Sequence, residues 1–326
     1  MIAALTSCIA NASSRPFNNF LMKNFMHTLQ IHDNASGRIN RATPRLFAFV
    51  LTIFSIGFAG LANAEGGSPW LPIPGQVSLS IGQSEQSGKS AYIGKTNLPI
   101  SAITGGAASK YKRSTTGLRL DYGFSDALSF DASLNYSAVK VGAADKDSGL
   151  GDTTLGLNYR VLDEFERPGL PTVTLRGAVI VKGNYDGARL ASIGKDANGF
   201  EFAALVGKQF GESFSVWGEL GIQNRNASVP NATFFEIGAR VRLAPGLSAN
   251  IGYTDKKYGG SLDIGGPGFS PARFQQVSEE RSTFKLGASY AIAGNQTVAL
   301  NFAKLVRGRN TVKDDSNLGI SYTIGF

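Results

Sequence analysis

From residue 70 onward, apolar and polar side chains alternate with a period of two, in segments of about ten residues that recur to the end of the chain. In one segment Leu128, Phe130, Ala132, Leu134 and Tyr136 share a face, opposite Ser129, Asp131, Ser133, Asn135 and Ser137. In another, Phe214, Val216, Gly218, Leu220 and Ile222 oppose Ser215, Trp217, Glu219, Gly221 and Gln223. The pattern predicts about twelve strands: 75–85, 113–124, 127–140, 151–162, 171–183, 198–210, 213–227, 232–244, 247–258, 281–293, 296–308 and 315–326. Tight turns such as Ser125-Asp126, Gly211-Glu212, Pro245-Gly246 and Gly294-Asn295 alternate with polar loops at 86–112, 141–150, 184–197, 228–231, 259–280 and 309–314. An even strand count with short turns at one end and long loops at the other predicts an all-β fold. The architecture expected is a transmembrane antiparallel up-and-down β-barrel with both termini in the periplasm.

A soluble β-sandwich would alternate as well. Three features favour the membrane barrel. The strands are long enough to cross a bilayer when tilted. Charges recur in the polar phase, as a wet interior allows. Aromatics such as Tyr122, Phe124, Tyr136, Tyr159, Phe210, Tyr253 and Tyr290 end the apolar faces, where interfacial girdles form.

Composition sharpens this picture. At 42% hydrophobic and 17% charged, the chain is too apolar for disorder and not apolar enough for a bundle of membrane helices. The only cysteine (Cys8), both histidines (His27, His32) and all three methionines precede residue 65. The remaining chain therefore has no means to form a disulfide, a His- or Cys-based metal site, or a His-activated nucleophile. No enzyme activity, metal or cofactor is expected of it. Within 1–64, Arg41 and Arg45 precede an apolar run at 46–60, and Ala62-Asn63-Ala64 is an A-x-A cleavage site. Residues 1–64 read as an N-terminal extension and signal peptide, cleaved after Ala64, and 65–326 as the barrel; Met26 is an alternative start. Half of the formal +8 charge lies in the removed part, and no basic run is interleaved with aromatics, so nucleic acid is not an expected partner.

The closing segment sets Leu318, Ile320, Tyr322, Ile324 and Phe326 against Asn317, Gly319, Ser321, Thr323 and Gly325. Asn317, Gly319, Tyr322, Ile324 and the terminal Phe326 resemble the C-terminal signal read by the outer-membrane barrel assembly machinery. That machinery, the lipid bilayer with its lipopolysaccharide, and a small-molecule solute are the expected partners. By strand parity the lumen receives Arg119, Asp121, Asp131, Arg160, Arg176, Lys182, Glu201, Glu219, Glu236, Arg240, Arg242, Lys285 and Arg307. They read either as a salt-bridged filling that stiffens a narrow barrel or as a charged constriction that selects solutes. Lys208 and Lys304 fall on the apolar face close to strand ends, where snorkelling or a bulge accommodates them. Segment 259–280, rich in Gly and Pro, reads first as a mobile surface loop and alternatively as an inward-folding gate. The apolar content of 86–112 fits either a ligand path or rim packing.

The stretch Ser148-Gly-Leu-Gly-Asp-Thr-Thr-Leu-Gly-Leu-Asn-Tyr-Arg-Val-Leu162 resembles the outer-membrane proteins of the MetA-pathway of phenol degradation family. The resemblance implies a barrel along most of 70–326 and a link to uptake of aromatic or hydrophobic compounds. It supplies no catalytic residue. Asp152 within it reads as a loop cap, with cation binding as the alternative. The leading functional expectation is a passive channel for small molecules in the outer membrane. A non-transporting adhesin, anchor or receptor barrel is the second.

Overall fold

The computed structural model describes residues 67–187 and 189–326. The expected cleavage site at Ala62 and Ala64 lies outside them. Twelve long strands organise the chain: β1 Val77–Gly88, β2 Tyr111–Gly123, β3 Leu128–Val141, β4 Thr153–Leu162, β5 Thr172–Val181, β6 Gly199–Phe210, β7 Phe214–Arg225, β8 Ala232–Ala244, β9 Leu247–Tyr258, β10 Glu280–Ala293, β11 Gln296–Arg309 and β12 Ser316–Gly325. Each boundary falls within three residues of its sequence expectation. Every strand pairs antiparallel with its neighbours in sequence. The sheet closes where β12 meets β1, from Ser78↔Gly325 to Ser87↔Ser316. Closure leaves no long barrel strand with an unpaired edge, which hydrocarbon would not tolerate.

The outward phase is greasy throughout. Phe202, Leu220 and Leu300 are 60%, 67% and 58% exposed, and side chains of the same kind repeat around the wall. Such a continuous apolar surface is stable in hydrocarbon and not in water. Among the described residues no helix is long and apolar enough to cross a membrane, so the strands are the spanning elements. Aromatics collect at the short-turn end: Phe124, Tyr159, Phe210, Phe214, Tyr290 and Phe326 are all exposed. Tyr122 meets Phe124 edge-on with ring centroids 4.7 Å apart, and Phe210 packs against Phe214 at 5.8 Å. Lys208 keeps its place on this face by reaching the turn below, where Nζ donates to the Leu170 carbonyl at 2.8 Å and approaches Glu164 at 3.5 Å. Lys304 faces outward and is exposed.

At the long-loop end the connections fold on one another. Ser90–Ile93 and Thr96–Pro99 form a hairpin, to which Val312–Lys313 adds a third strand. A four-residue helix, Ile100–Ile103, follows the hairpin. Asp145–Leu150 continues the sheet beside the outer half of β3. Ala91, Ile100, Ala108, Tyr111, Val139, Val141, Ala191 and Ile193 bury one another there, a small apolar core drawn from two loops and the tips of β2 and β3. Asn310 ties three loops together. Its Oδ1 accepts from the amides of Gly94 (2.8 Å) and Ile264 (3.1 Å), and its Nδ2 donates to the Ser278 carbonyl and to Asp263, each at 2.7 Å.

At the other end, residues 67–74 form a strap inside the barrel mouth. Pro69 is fully buried and Trp70 nearly so. The indole Nε1 donates to Glu164 at 2.8 Å, and the Thr174 hydroxyl donates to the Pro69 carbonyl at 2.7 Å. The strap lies so close to β6 that a Cβ on Gly207 would sit 2.6 Å from Pro69 Cγ and 2.7 Å from the Trp70 ring. Glycine there is a packing requirement.

Candidate functional site in the lumen

The inward phase divides the lumen into two unlike halves. Along β2–β6, ionised side chains are sealed against one another. Arg119 donates from Nε and Nη2 to Asp121 at 2.9–3.1 Å, and its Nη2 lies 3.7 Å from Asp131. Arg176 spans two carboxylates, Asp131 at 2.9 Å and Glu201. Asn158 Nδ2 donates to Asp131 at 2.9 Å, and Gln223 of β7 adds a bond to Glu201 at 3.1 Å. Asp131, Arg119 and Arg176 are 1%, 3% and 3% exposed. A buried charge persists only when it is paired and hydrogen-bonded, and these are. Of the residues expected in the lumen, Arg119, Asp121, Asp131, Arg176 and Glu201 are thus brought into one ladder. Glu219 of β7 is buried on the same inward side.

Along β8–β11 the charged inward side chains keep part of their exposure. Glu236 and Lys285 pair at 2.8 Å and are both half-buried. Arg240 and Arg242 lie closer to the short-turn end of β8 and are also half-buried. Arg242 approaches Glu212 of the adjoining turn at 3.8 Å. Arg160 is at the same end, 3.0 Å from Asp163. The expected charges therefore do not form one ring. They form a dry ladder on one wall and a wetted strip on the opposite wall.

Two expected lumen residues are elsewhere. Arg307 is exposed and meets Glu280 at 3.2 Å on the outer side of the rim. The pairing of β10 with β11 shifts between Ser282 and Thr283, so Val306 is an inserted residue and the parity of Arg307 flips. Lys182 follows the last residue of β5 and pairs with Asp196 of the next loop at 2.9 Å. Asp152 behaves as a cap: it accepts from the Gly183 amide, the Tyr185 hydroxyl and Arg225. Burial, and after it Asp152, pushes the Tyr185 phenol well above its ordinary range.

Above both halves, under the loops, is a cavity of about 310 Å³. Its apolar lining comes mostly from loops: Ile93, Ile100 and Ile103 from the first, Ile193 from the third, Phe274 and Val277 from the fifth. Segment 259–280 therefore folds inward, the alternative of its two sequence readings, with a 3₁₀ turn at Pro271–Gln276. The first loop likewise both packs and lines. The polar lining comes mostly from strand ends, with Arg113, Arg225, Lys256 and Arg281 beside Asp152, and Lys195 and Glu279 reach in from the loops. Lys195 contacts Glu279 at 2.7 Å. Burial pushes the Glu279 carboxyl up, but Lys195 and Arg281 outweigh it and hold it at about 2. This pairing favours the packed loop above the ordinary carboxylate range and is lost as pH falls toward 2. Burial pushes Asp314, behind Arg281, in the opposite direction, above its usual range. Parity alone missed this basic floor, although Arg113, Arg225, Lys256 and Arg281 all lie on inward phases within three residues of strand ends. Projection of neighbouring strands onto a common height would have found it.

Among curated proteins none matches the sequence. Solved structures do match. The COG4313 outer membrane channel from Pseudomonas putida F1 superposes with a TM-score of 0.64 at 16% identity, covering 81% of this chain and 100% of that one. The NanC porin gives 0.47 at 9% identity over 76% of this chain and 98% of its own, and the CymD monoaromatic hydrocarbon channel 0.40 at 11% over 78% and 89%. The first establishes the barrel fold. The profile of the family described as "Putative MetA-pathway of phenol degradation" matches residues 101–318, from the first loop to the start of the closing strand. With two thirds of its length matched and the closed twelve-stranded sheet in place, the chain belongs to that family.

Proposed function

We propose that this protein is a passive outer-membrane channel for small, largely apolar solutes. The observation that carries the reading is the asymmetric lumen. The dry ladder stiffens one wall, while Glu236, Lys285, Arg240 and Arg242 leave a wetted strip along the other. Solutes reach the strip from the capped cavity by diffusion and leave past the strap at the short-turn end. The Pseudomonas putida neighbour is an outer membrane channel, which agrees with this use of the fold. Catalysis has no support, because the barrel has neither histidine nor cysteine to activate a nucleophile. On the same reading the apolar wall contacts lipid and lipopolysaccharide. Asn317, Gly319, Tyr322, Ile324 and Phe326 serve as the signal for the assembly machinery.

A second reading, a non-transporting barrel, draws on the buried ladder and on Pro69 and Trp70 in the mouth. Single-channel recording in planar bilayers separates the two. The channel reading expects discrete conductance steps, and silence from a correctly folded barrel would refute it. Replacing Arg240 and Arg242 together by Ala removes two cations from the short-turn end and should shift the reversal potential toward cations. An unchanged potential would remove those arginines from the conducting path.

A further inference from the structure

The outward phase changes character at the outer ends of β2 and β3. Lys112 of β2 is directly opposite Lys140 of β3, and Lys140 is directly opposite Lys146 of the strand Asp145–Leu150. Residues paired in this way share a face, so the three ammonium groups form one row, and all three residues are exposed. None of the three has an ion-pair partner among the described residues. Asp145 and Asp147, on either side of Lys146, turn to the opposite face, where both meet Arg189. On the lysine face the adjoining row is Ser114, Ala138 and Ser148, with Glu85 beside Ser114 on β1. Glu85 accepts from Gln83 and makes no ion pair. Like charges directly opposite one another destabilise a sheet. Lysine on an open edge guards it against further pairing, but that accounts for Lys146 alone, because Lys112 and Lys140 are paired on both sides.

The height of the row matters as much as its charge. A strand tilted by about 40° climbs about 2.6 Å per residue, so the stretch of β2 from Tyr122, at the short-turn girdle, to Lys112 rises about 26 Å. An apolar band of about 25 Å ends there and the headgroups begin. Just below, Tyr136 and Leu150 face one another in register, both exposed, and close the apolar face. The small side chains of Ser114, Ala138 and Ser148 leave a shelf between them and the lysines. Three cations across two strand spacings, about 10 Å, call for a partner with more than one negative charge. We infer that this row docks the phosphorylated headgroup of an outer-leaflet glycolipid, with its phosphates on Lys112, Lys140 and Lys146 and its acyl chains against Tyr136 and Leu150. The inference rests on the reading that the wall contacts lipopolysaccharide, and it stands whether or not the barrel conducts.

The test is native mass spectrometry of the folded barrel in neutral detergent, titrated with bisphosphorylated lipid A and with the same lipid stripped of both phosphates. The phosphorylated form should bind at least about tenfold tighter at low salt, and the preference should shrink as salt rises. The triple substitution Lys112→Gln, Lys140→Gln and Lys146→Gln, checked for heat-modifiable gel mobility, should reduce the preference to within about twofold. Replacing the same three lysines by arginine should keep it. Equal affinity for the two lipids in the parent overturns the inference, and that arm needs no variant to fold. A preference that survives the glutamine substitutions overturns the assignment to these lysines. If inorganic phosphate displaces the lipid more than chloride of equal ionic strength does, the row takes a soluble anion and the headgroup assignment falls. The lipopolysaccharide reading fails in a different way. A barrel that binds neither lipid removes that reading together with the site, whereas one that binds both equally keeps the reading and removes the site alone.

Discussion

Asn310 adopts φ +49°, a left-handed backbone that asparagine tolerates better than most residues, and both ends of its amide are engaged with the first and fifth loops. Asn310→Ala strands the buried Gly94 amide, the half-buried Ile264 amide and the Ser278 carbonyl, at about 1–3 kcal/mol for each buried group left without a partner, and adds strain at positive φ. The loss falls on the loop cap, because the barrel wall makes its hydrogen bonds elsewhere. Limited proteolysis should therefore cut 259–279 at least about tenfold faster in the variant, a change of some 1.4 kcal/mol in local opening, while the barrel stays intact on a gel. Equal cleavage of variant and parent would mean that apolar packing alone holds the cap. At this scale the sequence was partly silent: Asn310 lies in a segment expected only to be a polar loop, and its four partners come from positions 94, 263, 264 and 278. Nothing local in a sequence announces such a contact.

The strands were legible for a reason that does not extend to the connections. Hydrocarbon on one face and charge or water on the other impose a period of two on every residue of a spanning strand, so the pattern of Leu128–Val141 is visible without knowledge of its neighbours. The cap has no such local period. Ile93, Ile100, Ile193 and Val312 meet only because separate loops fold together. Arg307 was misplaced because one inserted residue, Val306, reverses parity, and a bulge leaves little trace in composition. The strap at 67–74 was likewise hidden, since a proline-rich run reads as a linker until the glycine it packs on is known. That contact gives the strap its test. Gly207→Val places a branched side chain where Pro69 and Trp70 leave no room, and the clash is with rings that cannot simply rotate away. The strap should leave the mouth. In a Trp217→Phe background Trp70 is the only tryptophan, and its emission should move to the red as single-channel conductance rises. If neither changes, the strap is not what narrows this end.

Across the whole barrel, the two walls divide stability from conduction. Arg176 bridges Asp131 of β3 and Glu201 of β6 from its own place on β5, so one guanidinium compensates carboxylates on strands that are not adjacent. Lipid surrounds this wall, and each partner is at most 4% exposed at its side chain. Arg176→Met leaves Glu201 buried without its guanidinium and Asp131 with Arg119 alone among its ion-pair partners. Breaking a buried network by removing one partner costs about 3–5 kcal/mol. Lys285 is different. It pairs with Glu236 at side chains 13% and 17% exposed, so water reaches only part of what the substitution uncovers. Arg176→Met should therefore lower the free energy of unfolding from lipid in urea by about 3–5 kcal/mol, with ion selectivity in the surviving folded channels unchanged. Lys285→Met should cost less, about 1–3 kcal/mol, and shift selectivity toward cations, because Glu236 then faces the path without its cation. If Arg176→Met altered selectivity as strongly as Lys285→Met, solute would be passing through the ladder itself, and the two walls would not be separate devices.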